Sequence, residues 1–272
     1  MFSFFKKDVE SLTWPDMDAS AGVTREEITE VANWYCEAKH VVFTWAMGVT
    51  HHLHGVDNVE SIVNLALLRA MVGKSHAGLL PLRGHSNVQG VGSMGVSPQL
   101  KQQVFEALQD KLGITLPTSP GWDTMSCIKA SFEHNVDLAF ILGGNLYASN
   151  PDQHFTEQAL NNIPFKVFLS TTLNQGHLAG SDGESIILPV AARDEEKQST
   201  TQESMFNFVR LSDGGIVRLS NVRSETDVIT DIAIGVLGER QLSFKKLKDH
   251  KNIRVAIAET IPGFEKIKSL GE

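Results

Sequence analysis

Apolar positions along the chain follow two spacings, which separate predicted helices from predicted strands. Stretches with apolar residues three or four positions apart predict helices, whereas short β-branched, aromatic or continuously apolar runs predict strands. The predicted helices are residues 24–39, 58–72, 98–112, 124–135, 152–161, 225–237 and 253–261, and the predicted strands are residues 40–45, 138–142, 166–170 and 185–189. Because strands alternate with helices, the predicted fold class is α/β with parallel sheets.

Local signals fix the start of one helix, and three segments lack a regular pattern. Thr24 with Glu27 three positions later forms a capping box, which predicts the start of the first helix. Residues 8–22 and 191–220 show no periodicity, and the glycine-rich stretch 77–95 is predicted to be a well-packed loop. We therefore expect irregular structure in all three segments.

The composition favours a globular protein and argues against two classes of partner. Of the 272 residues, 42% are hydrophobic, which suffices for a large core in one or two domains, and the net charge of -8 disfavours nucleic acid. The longest apolar run falls short of the roughly 20 residues that span a membrane. Residues 1–7 lack the order of segments found in a signal peptide. We expect a cytoplasmic protein with no membrane span.

The chain has two cysteines, Cys36 and Cys127, which stand far apart. They cannot form a CxxC pair, and they cannot supply the ligand set of an iron-sulfur cluster. We expect both to be buried thiols in a reducing compartment.

Three loops that follow predicted strands are rich in glycine, amide, hydroxyl or imidazole groups. They are residues 47–55, 143–151 and 171–180. In a parallel sheet, loops at the carboxyl ends of strands offer backbone N–H groups to anionic ligands, so together they suggest a polar, phosphate-bearing cofactor. The alternative is that the glycines only permit tight turns. A full GxGxxG fingerprint and a GxxxxGK[ST] loop are both absent from the sequence.

Histidines of the first strand-end loop and an arginine in the later glycine-rich stretch offer further chemistry. His51, His52 and His54 are closely spaced, but adjacent side chains in an extended segment point apart and the sequence has no HExxH motif, so hydrogen-bonding or cofactor-contacting roles are favoured over a metal site. Arg83 is a candidate clamp for a carboxylate or phosphate, with a surface salt bridge as the alternative. The sequence has no GxSxG elbow, which argues against a hydrolase.

Several of these segments together resemble the formate dehydrogenase alpha-subunit family of the molybdopterin oxidoreductases, in the dimethyl sulfoxide reductase superfamily. The resemblance runs from about residue 23 to residue 263, and residues 83–95 (RGHSNVQGVGSMG) are its most specific part. The other matching segments, in the family's order, are residues 45–51 (WAMGVTH), 64–68 (NLALL), 143–145 (GGN), 171–177 (TTLNQGH) and 187–189 (ILP).

The resemblance implies two doubly wound, Rossmann-like parallel-sheet domains, incomplete at both ends. Residues 1–85 would be the C-terminal part of one domain that binds a molybdopterin guanine dinucleotide, and residues 86–272 would be a second domain that binds the other. The two pterins would chelate molybdenum or tungsten between them, so no residue of the chain is predicted to ligate the metal. The metal chemistry would belong to the cofactor.

The resemblance also implies roles for particular residues. Arg83 and His85 would be catalytic, with Arg83 facing the metal and orienting a small anionic substrate. The predicted cofactor-binding residues are Met47, Gly48, His51, Gly84, Asn87, Gly143, Gly144, Asn145, Thr171, Asn174 and His177. Of these, Asn145, Thr171 and Asn174 would lie along the nucleotide parts, and His177 is a weaker assignment.

Departures from the family pattern affect the substrate and the completeness of the site. His51 and His85 stand where formate dehydrogenases proper tend to carry glutamine, which argues against formate and favours the formate-dehydrogenase-like branch. The family's 4Fe-4S cluster region, its metal-ligating cysteine or selenocysteine and its closing β-barrel have no counterpart here. We therefore expect a fragment of an oxidoreductase that acts on a small molecule and passes electrons to another subunit.

Two alternatives remain at this point. One is a catalytically inactive, truncated module that binds cofactor or a partner. The other is an unrelated nucleotide-binding α/β protein, since fold alone does not fix function.

Overall fold

The computed structural model describes residues 2–206, 208–238 and 242–270. The chain divides into two compact units, Met1–His85 and Ser86–Glu272. Each has a parallel β-sheet accompanied by helices, so the predicted α/β class with parallel sheets is confirmed. The assignment of one guanine dinucleotide to each unit stays a prediction. Among the described residues, none of the helices combines the length and apolar character needed to cross a bilayer.

The first unit contains a two-stranded parallel pair, β1 with β2, in which Val42 lies opposite Gly78 and Trp45 opposite Pro81. The crossover between the two strands contains a helix, as a parallel connection requires. The elements of this unit in chain order are α1 (Phe2–Glu10), α2 (Trp14–Ala21), α3 (Arg25–Glu37), β1 (Val42–Trp45), α4 (Met47–Thr50), α5 (Gly55–Leu68) and β2 (Gly78–Pro81).

The predicted capping box at the start of α3 is confirmed. Thr24 Oγ1 accepts from the backbone N–H of Glu27 at 3.3 Å, and the Glu27 carboxylate accepts from the backbone N–H of Thr24 at 2.8 Å. The backbone hydrogen bond from Thr24 lowers the pKa of Glu27. Two of the orphan N–H groups at this helix end are satisfied within four residues, and for that reason the sequence alone was sufficient to place the start of α3.

Two segments predicted to be irregular contain regular structure in or near this unit. Residues 8–22 include the end of α1 and all of α2, which is capped by Thr13 and ends at Gly22 with φ of 67°. The segment 77–95 contains β2 and a short helix, α6 (Val88–Ser93). The prediction of loop was wrong because glycine content was given more weight than the brief apolar run at β2.

The second unit contains a three-stranded parallel sheet in the order β3-β4-β5 and a separate antiparallel hairpin, β6-β7. After α6, its elements are α7 (Gln102–Leu112), α8 (Thr124–Phe132), β3 (Leu138–Leu142), α9 (Gln153–Asn161), β4 (Phe165–Ser170), β5 (Glu184–Pro189), β6 (Thr200–Ser204), β7 (Phe208–Ser212), α10 (Glu225–Leu237) and α11 (His250–Thr260). The predicted strands 138–142, 166–170 and 185–189 are confirmed to within one residue.

The core of the second unit lies around the central strand β4. Residues 166–170 of this strand are all buried, and Leu169 is 0% exposed. Val167 and Leu169 pack with Val190 after β5 and Val228 on α10. Burying an aliphatic side chain of this size stabilises a fold by about 1.5–3 kcal/mol. The strand β4 is therefore firmly packed, and the loop that follows it starts from a fixed position.

Two further expectations are corrected in this unit and its neighbour. The hairpin β6-β7 lies within residues 191–220, which were predicted to be irregular. Its first strand reads TTQES, with every side chain half-buried, and such a polar strand shows no apolar alternation. Cys36 and Cys127 are exposed rather than buried.

Candidate functional site

The first unit presents two loops at one edge of its sheet. Met47, Gly48 and His51 follow β1 directly, and the segment with Arg83, Gly84 and His85 follows β2. Because β1 and β2 are parallel, both loops leave from the same edge. The backbone N–H of Leu82 donates to the carbonyl of Trp45 at 2.8 Å and extends the strand pairing up to the residue before Arg83. The structure therefore brings these predicted site residues to one edge.

The loop after β1 is exposed and is held by short-range contacts. Met47 is 57% exposed, and His51 is also exposed. The Thr50 hydroxyl donates to the carbonyl of Met47 at 3.0 Å, and the Asn58 side-chain amide donates to the carbonyl of Val49 at 3.0 Å. These bonds shape a single helical turn, α4, and leave the side chains of this loop directed to solvent.

His54, at the end of that loop, has a partner within the first turn of α5. Its Nδ1 lies 3.1 Å from a carboxylate oxygen of Asp57, and both side chains are largely exposed. This contact agrees with the hydrogen-bonding role that the sequence favoured for one of the three clustered histidines.

The second unit also presents loops at the carboxyl edge of its parallel sheet. Gly143 and Gly144 follow β3 with φ of 63° and 72°, a backbone region that favours glycine, and Thr171 follows β4. The Asn174 side-chain amide donates to the carbonyl of Gly144 at 3.0 Å, which joins the two loops. The structure therefore brings Gly143, Gly144, Asn145, Thr171, Asn174 and His177 to one edge of the sheet.

His177 is buried at this edge, with 7% of its surface exposed. Its Nδ1 accepts from the backbone N–H of Asn174 at 2.9 Å, and its Nε2 lies 2.9 Å from the hydroxyl of Ser170. Its ring stands edge-on to Phe168 with centroids 5.1 Å apart. Both ring nitrogens are thus engaged within the loop and the end of β4.

A third loop, after β5, completes the edge, and sequence analysis missed it. Arg218 bonds the carboxylates of Asp194 at 2.8 Å and Glu195 at 3.1 Å. These bonds raise the pKa of Arg218, and the Arg218 guanidinium lowers the pKa of Asp194. The signal that could have found this loop is the charged run 193–197, which follows a strand ending in Pro189.

A cavity of about 240 Å³ lies beside the loops after β4 and β5. Its walls carry hydroxyl, carboxylate and guanidinium groups from residues far apart in sequence, including Thr171, Glu195, Glu196, Arg218, Arg223 and Ser224. Such a mixture suits a ligand that has both anionic groups and hydrogen-bond donors.

Similarity to known proteins identifies the family that has this arrangement. A family model described as molybdopterin oxidoreductase matches residues 21–231, which include every strand of both sheets and all the loops above. The chain belongs to the molybdopterin oxidoreductase family. It is thus a member of an enzyme family, and that family is characterised by a molybdopterin cofactor with molybdenum or tungsten.

Individual relatives agree with this assignment. An uncharacterized oxidoreductase of Mycobacterium tuberculosis strain H37Rv is 36% identical over 256 residues, covering 91% of this chain and 33% of the relative. Protein YdeP of Escherichia coli K12 is 30% identical over 272 residues, covering 97% and 36%. An F420-dependent formate dehydrogenase subunit alpha of Methanocaldococcus jannaschii is 30% identical over 207 residues, covering 74% and 30%. The chain therefore spans about a third of the length of these curated relatives.

Within this molybdopterin oxidoreductase chain, Asn87 lies in a different setting from the other predicted cofactor residues. Its Oδ1 accepts from the backbone N–H of Glu203 in β6 at 2.9 Å, and its side chain packs on the backbone of Gly90. The preceding residue, Ser86, accepts a hydrogen bond from Arg193 at 2.7 Å. These contacts attach the start of α6 to the hairpin and to the loop after β5, and cofactor binding by Asn87 stays a prediction.

Proposed function

We propose that this chain supplies the loops that hold two pterin guanine dinucleotides at a bis-pterin molybdenum or tungsten centre, where a small substrate is oxidised or reduced by two electrons. The observation that supports this function is the grouping of glycine-rich and polar loops at the carboxyl edge of each parallel sheet. Ligands of open α/β sheets bind at that edge.

The loops of the second unit fit a phosphate-bearing group. A Cβ added at Gly143 or Gly144 would meet nothing within 4 Å, so open space lies above the turn. The left-handed backbone there turns the chain away from β3 without a side chain in the way. Thr171 is exposed and lines the cavity that Arg218 also lines. Cationic groups there would pair with the phosphates of a nucleotide, and carboxylates would accept hydrogen bonds from its base.

The residues of the first unit would position the substrate. When bound, the metal held by the two pterins supplies the two-electron redox chemistry. The guanidinium of Arg83 would hold a small anionic substrate by two parallel hydrogen bonds, and His85 two residues later would supply an imidazole to the same space. Because His51 and His85 stand where formate dehydrogenases proper tend to carry glutamine, we propose a small substrate other than formate.

Two further parts of the proposal concern electron transfer. A 4Fe-4S cluster in a neighbouring region of the longer polypeptide, and a separate electron-transfer subunit, would carry electrons to or from the metal. The length of the relatives leaves room for such a region, since this chain covers 33% and 36% of two of them. The Mycobacterium tuberculosis relative is an oxidoreductase, which agrees with the general class of this proposal.

Replacement of Arg83 in the cofactor-bearing polypeptide tests the assignment of the substrate site. We expect Arg83→Ala to lower turnover at least about a hundredfold, the usual scale for losing a group that orients a reactant. Molybdenum, tungsten and pterin content, measured by mass spectrometry of the metal and fluorescence of the released pterin, should stay near the wild-type value. Arg25→Ala, an exposed arginine over the Trp14 ring, is the matched control and should change neither quantity.

The result can contradict the proposal at two levels. Equal losses of turnover and cofactor would make Arg83 a structural residue. If denaturation of the wild-type protein released a nicotinamide or flavin nucleotide and no pterin, the bis-pterin centre itself would be wrong.

A further inference from the structure

His177 is a buried titratable side chain for which the proposed function has no direct use. We propose that His177 is a positioning residue: a neutral imidazole, protonated at Nε2, that fixes the loop after β4 against the loop after β3. The assignment of the proton and the fixing of the loop follow from contacts within the second unit. Only the consequence for cofactor retention rests on the proposed function.

The hydrogen bonds of His177 determine where its proton lies. A backbone N–H can only donate, so the contact of 2.9 Å from Asn174 makes Nδ1 an acceptor without a proton. A neutral imidazole then carries its proton on Nε2, which donates to the hydroxyl oxygen of Ser170 at 2.9 Å. A protonated Nδ1 would place two donors against each other at this distance. The loop therefore selects the neutral ring with the proton on Nε2.

This arrangement rules out a serine nucleophile at the end of β4. A base that activates Ser170 would need a free lone pair on the nitrogen facing the hydroxyl, and that nitrogen carries the proton. Phe168 and Ser170 lie two positions apart on β4 and so point to the same side of the sheet. His177 spans both, with its ring edge-on to Phe168. It is packed as part of the core and acts through its neighbours.

Asn174 and Gly176 connect His177 to the loop after β3. Asn174 caps the short 3₁₀ turn that ends in His177, and its side-chain oxygen accepts from the N–H of Gly176 at 2.8 Å. Its side-chain nitrogen donates to the carbonyl of Gly144 at 3.0 Å. Gly176 comes so close to Asn145 that an added Cβ would lie 2.6 Å from the Asn145 side-chain oxygen. The two loops therefore move as one piece while His177 holds the turn.

The same bonds decide which groups remain for a ligand. Asn174 uses its side-chain oxygen inside its own loop and one side-chain N–H in the bond to Gly144 of the loop after β3, and His177 uses both ring nitrogens. By contrast, among the described residues no hydrogen bond engages the hydroxyl of Thr171, which lines the cavity. Thr171 and the glycine turn are therefore open to a nucleotide at this edge, and His177 and Asn174 set their geometry.

The state of the proton can be measured directly in the 272-residue chain. Long-range proton-nitrogen correlation spectra of the ¹⁵N-labelled protein distinguish the two neutral tautomers and the charged ring, and the signals that vanish in His177→Gln belong to His177. We expect a neutral ring with the proton on Nε2 at neutral pH. A proton on Nδ1, or a charged ring, would overturn the proposal.

Exchange of backbone amides tests the fixing of the loop. His177→Phe keeps a ring against Phe168 but removes both hydrogen bonds, and we expect the Asn174 amide to exchange about fivefold faster, the factor for one lost hydrogen bond. His177→Gln offers one acceptor and one donor and should recover part of the protection. His154→Phe, at an exposed histidine on α9, is the matched control and should leave this amide unchanged. Unchanged exchange in His177→Phe would overturn the proposal.

A milder variant and a cofactor measurement complete the test. If His177→Phe does not fold, Ser170→Ala removes only the contact at Nε2 and should still speed exchange at Asn174. In the cofactor-bearing polypeptide, we expect His177→Phe to lose pterin about fivefold faster, with partial rescue by His177→Gln. Wild-type protein without pterin would refute the proposed function and leave the tautomer and exchange results to decide the role of His177. Pterin loss at the wild-type rate in His177→Phe would refute its effect on the cofactor.

Discussion

The loops after β1 and after β4 have similar compositions, but they differ in how firmly the rest of the protein holds them. The loop after β4 is anchored at both ends: His177 and Asn174 hold its start, and the buried Lys166 donates to the carbonyl of Asp182 near its end at 2.6 Å. In the described part of the chain, the side-chain hydrogen bonds of the loop after β1 join residues no more than nine positions apart, and its Leu53 is 95% exposed. Glycine and histidine content alone does not determine whether a loop is preorganised.

The difference arises from the strands that carry the loops. β4 is the central strand of its sheet and is buried along most of its length, so long side chains on it can reach the loop at each end. β1 belongs to a two-stranded pair, and among residues 4–85, whose burial the structure describes, only Gly55, Ala66 and Met71 are buried. A loop without such support loses conformational entropy when it becomes ordered around a ligand, and this loss weakens binding. We expect the second unit to recognise its ligand with less rearrangement.

The largest expected effect concerns the anchor at the far end of the loop after β4. Lys166 is 0% exposed, and its ammonium donates to the carbonyls of Leu160, Ile163 and Asp182. Desolvation lowers the pKa of Lys166, and the charge of Asp182 opposes part of that lowering. Lys166→Met keeps the apolar stem and removes the ammonium donor from the carbonyls of Ile163 and Asp182, while the carbonyl of Leu160 still accepts from the backbone N–H of Ile163. We therefore expect a loss of about 2–4 kcal/mol in the free energy of unfolding.

Urea denaturation followed by circular dichroism measures this loss. Lys129→Met, at an exposed position on α8, is the matched control and should stay within about 0.5 kcal/mol of the wild type. A Lys166→Met protein as stable as the wild type would show that the anchor contributes no energy, and the contrast between the two loops would then rest on His177 alone.

A smaller effect is expected from adding one methyl group to each loop. A Cβ at Gly176 would lie 2.6 Å from the side-chain oxygen of Asn145, whereas a Cβ at Gly48 would meet nothing within 4 Å. We expect Gly176→Ala to cost about 1–3 kcal/mol through overpacking. Gly48→Ala should stay within about 0.5 kcal/mol. Thermal unfolding of the two variants compares the loops directly, and equal shifts in Tm would remove the difference between them.

Much of the second unit's fold could be predicted from its sequence. β3 and α10 have the predicted bounds, because each has a strong apolar pattern and, for α10, a capping serine at position 224. The hairpin β6-β7 was missed because its polar strand is held by backbone pairing and by contacts such as the one from Glu203 to Asn87, which join residues far apart in sequence. No local pattern encodes such contacts.

The sequence was sufficient to predict which loops form the candidate site. It was not sufficient to predict the hydrogen bonds and ion pairs within and between those loops. Gly143, Gly144 and Thr171 were found because they follow predicted strands, whereas Arg83 was found through the resemblance of residues 83–95 to the family. The third loop, with Arg218 bonded to Asp194 and Glu195, was not found because the partners lie more than 20 positions apart. Likewise, the sequence suggested that His177 contacts the cofactor, and only its geometry shows that both ring nitrogens are already engaged.

The smallest expected effect concerns charge near the loop after β5. Partial burial raises the pKa of Glu225 above the ordinary value of 4.5 and the carboxylate of Glu196 raises it further, while the solvent to which the residue stays exposed screens both effects. The folded protein therefore binds this proton more tightly than the unfolded chain, and stability is lost as the pH rises through the raised pKa. We expect Glu225→Gln to raise Tm by about 1–3 °C near pH 8 and to have no effect near pH 4, where the glutamate is protonated.

The second carboxylate provides the control for this pH dependence. Glu196→Gln removes the smaller of the two causes, so in that background the change in Tm that Glu225→Gln produces near pH 8 should shrink without disappearing, since burial acts first. A change of the same size at both pH values would mean that Glu225 is not destabilised by its surroundings. The charges of Glu196 and Glu225 would then not affect stability near the loop after β5. The loop after β4 alone would differ from the exposed loop after β1.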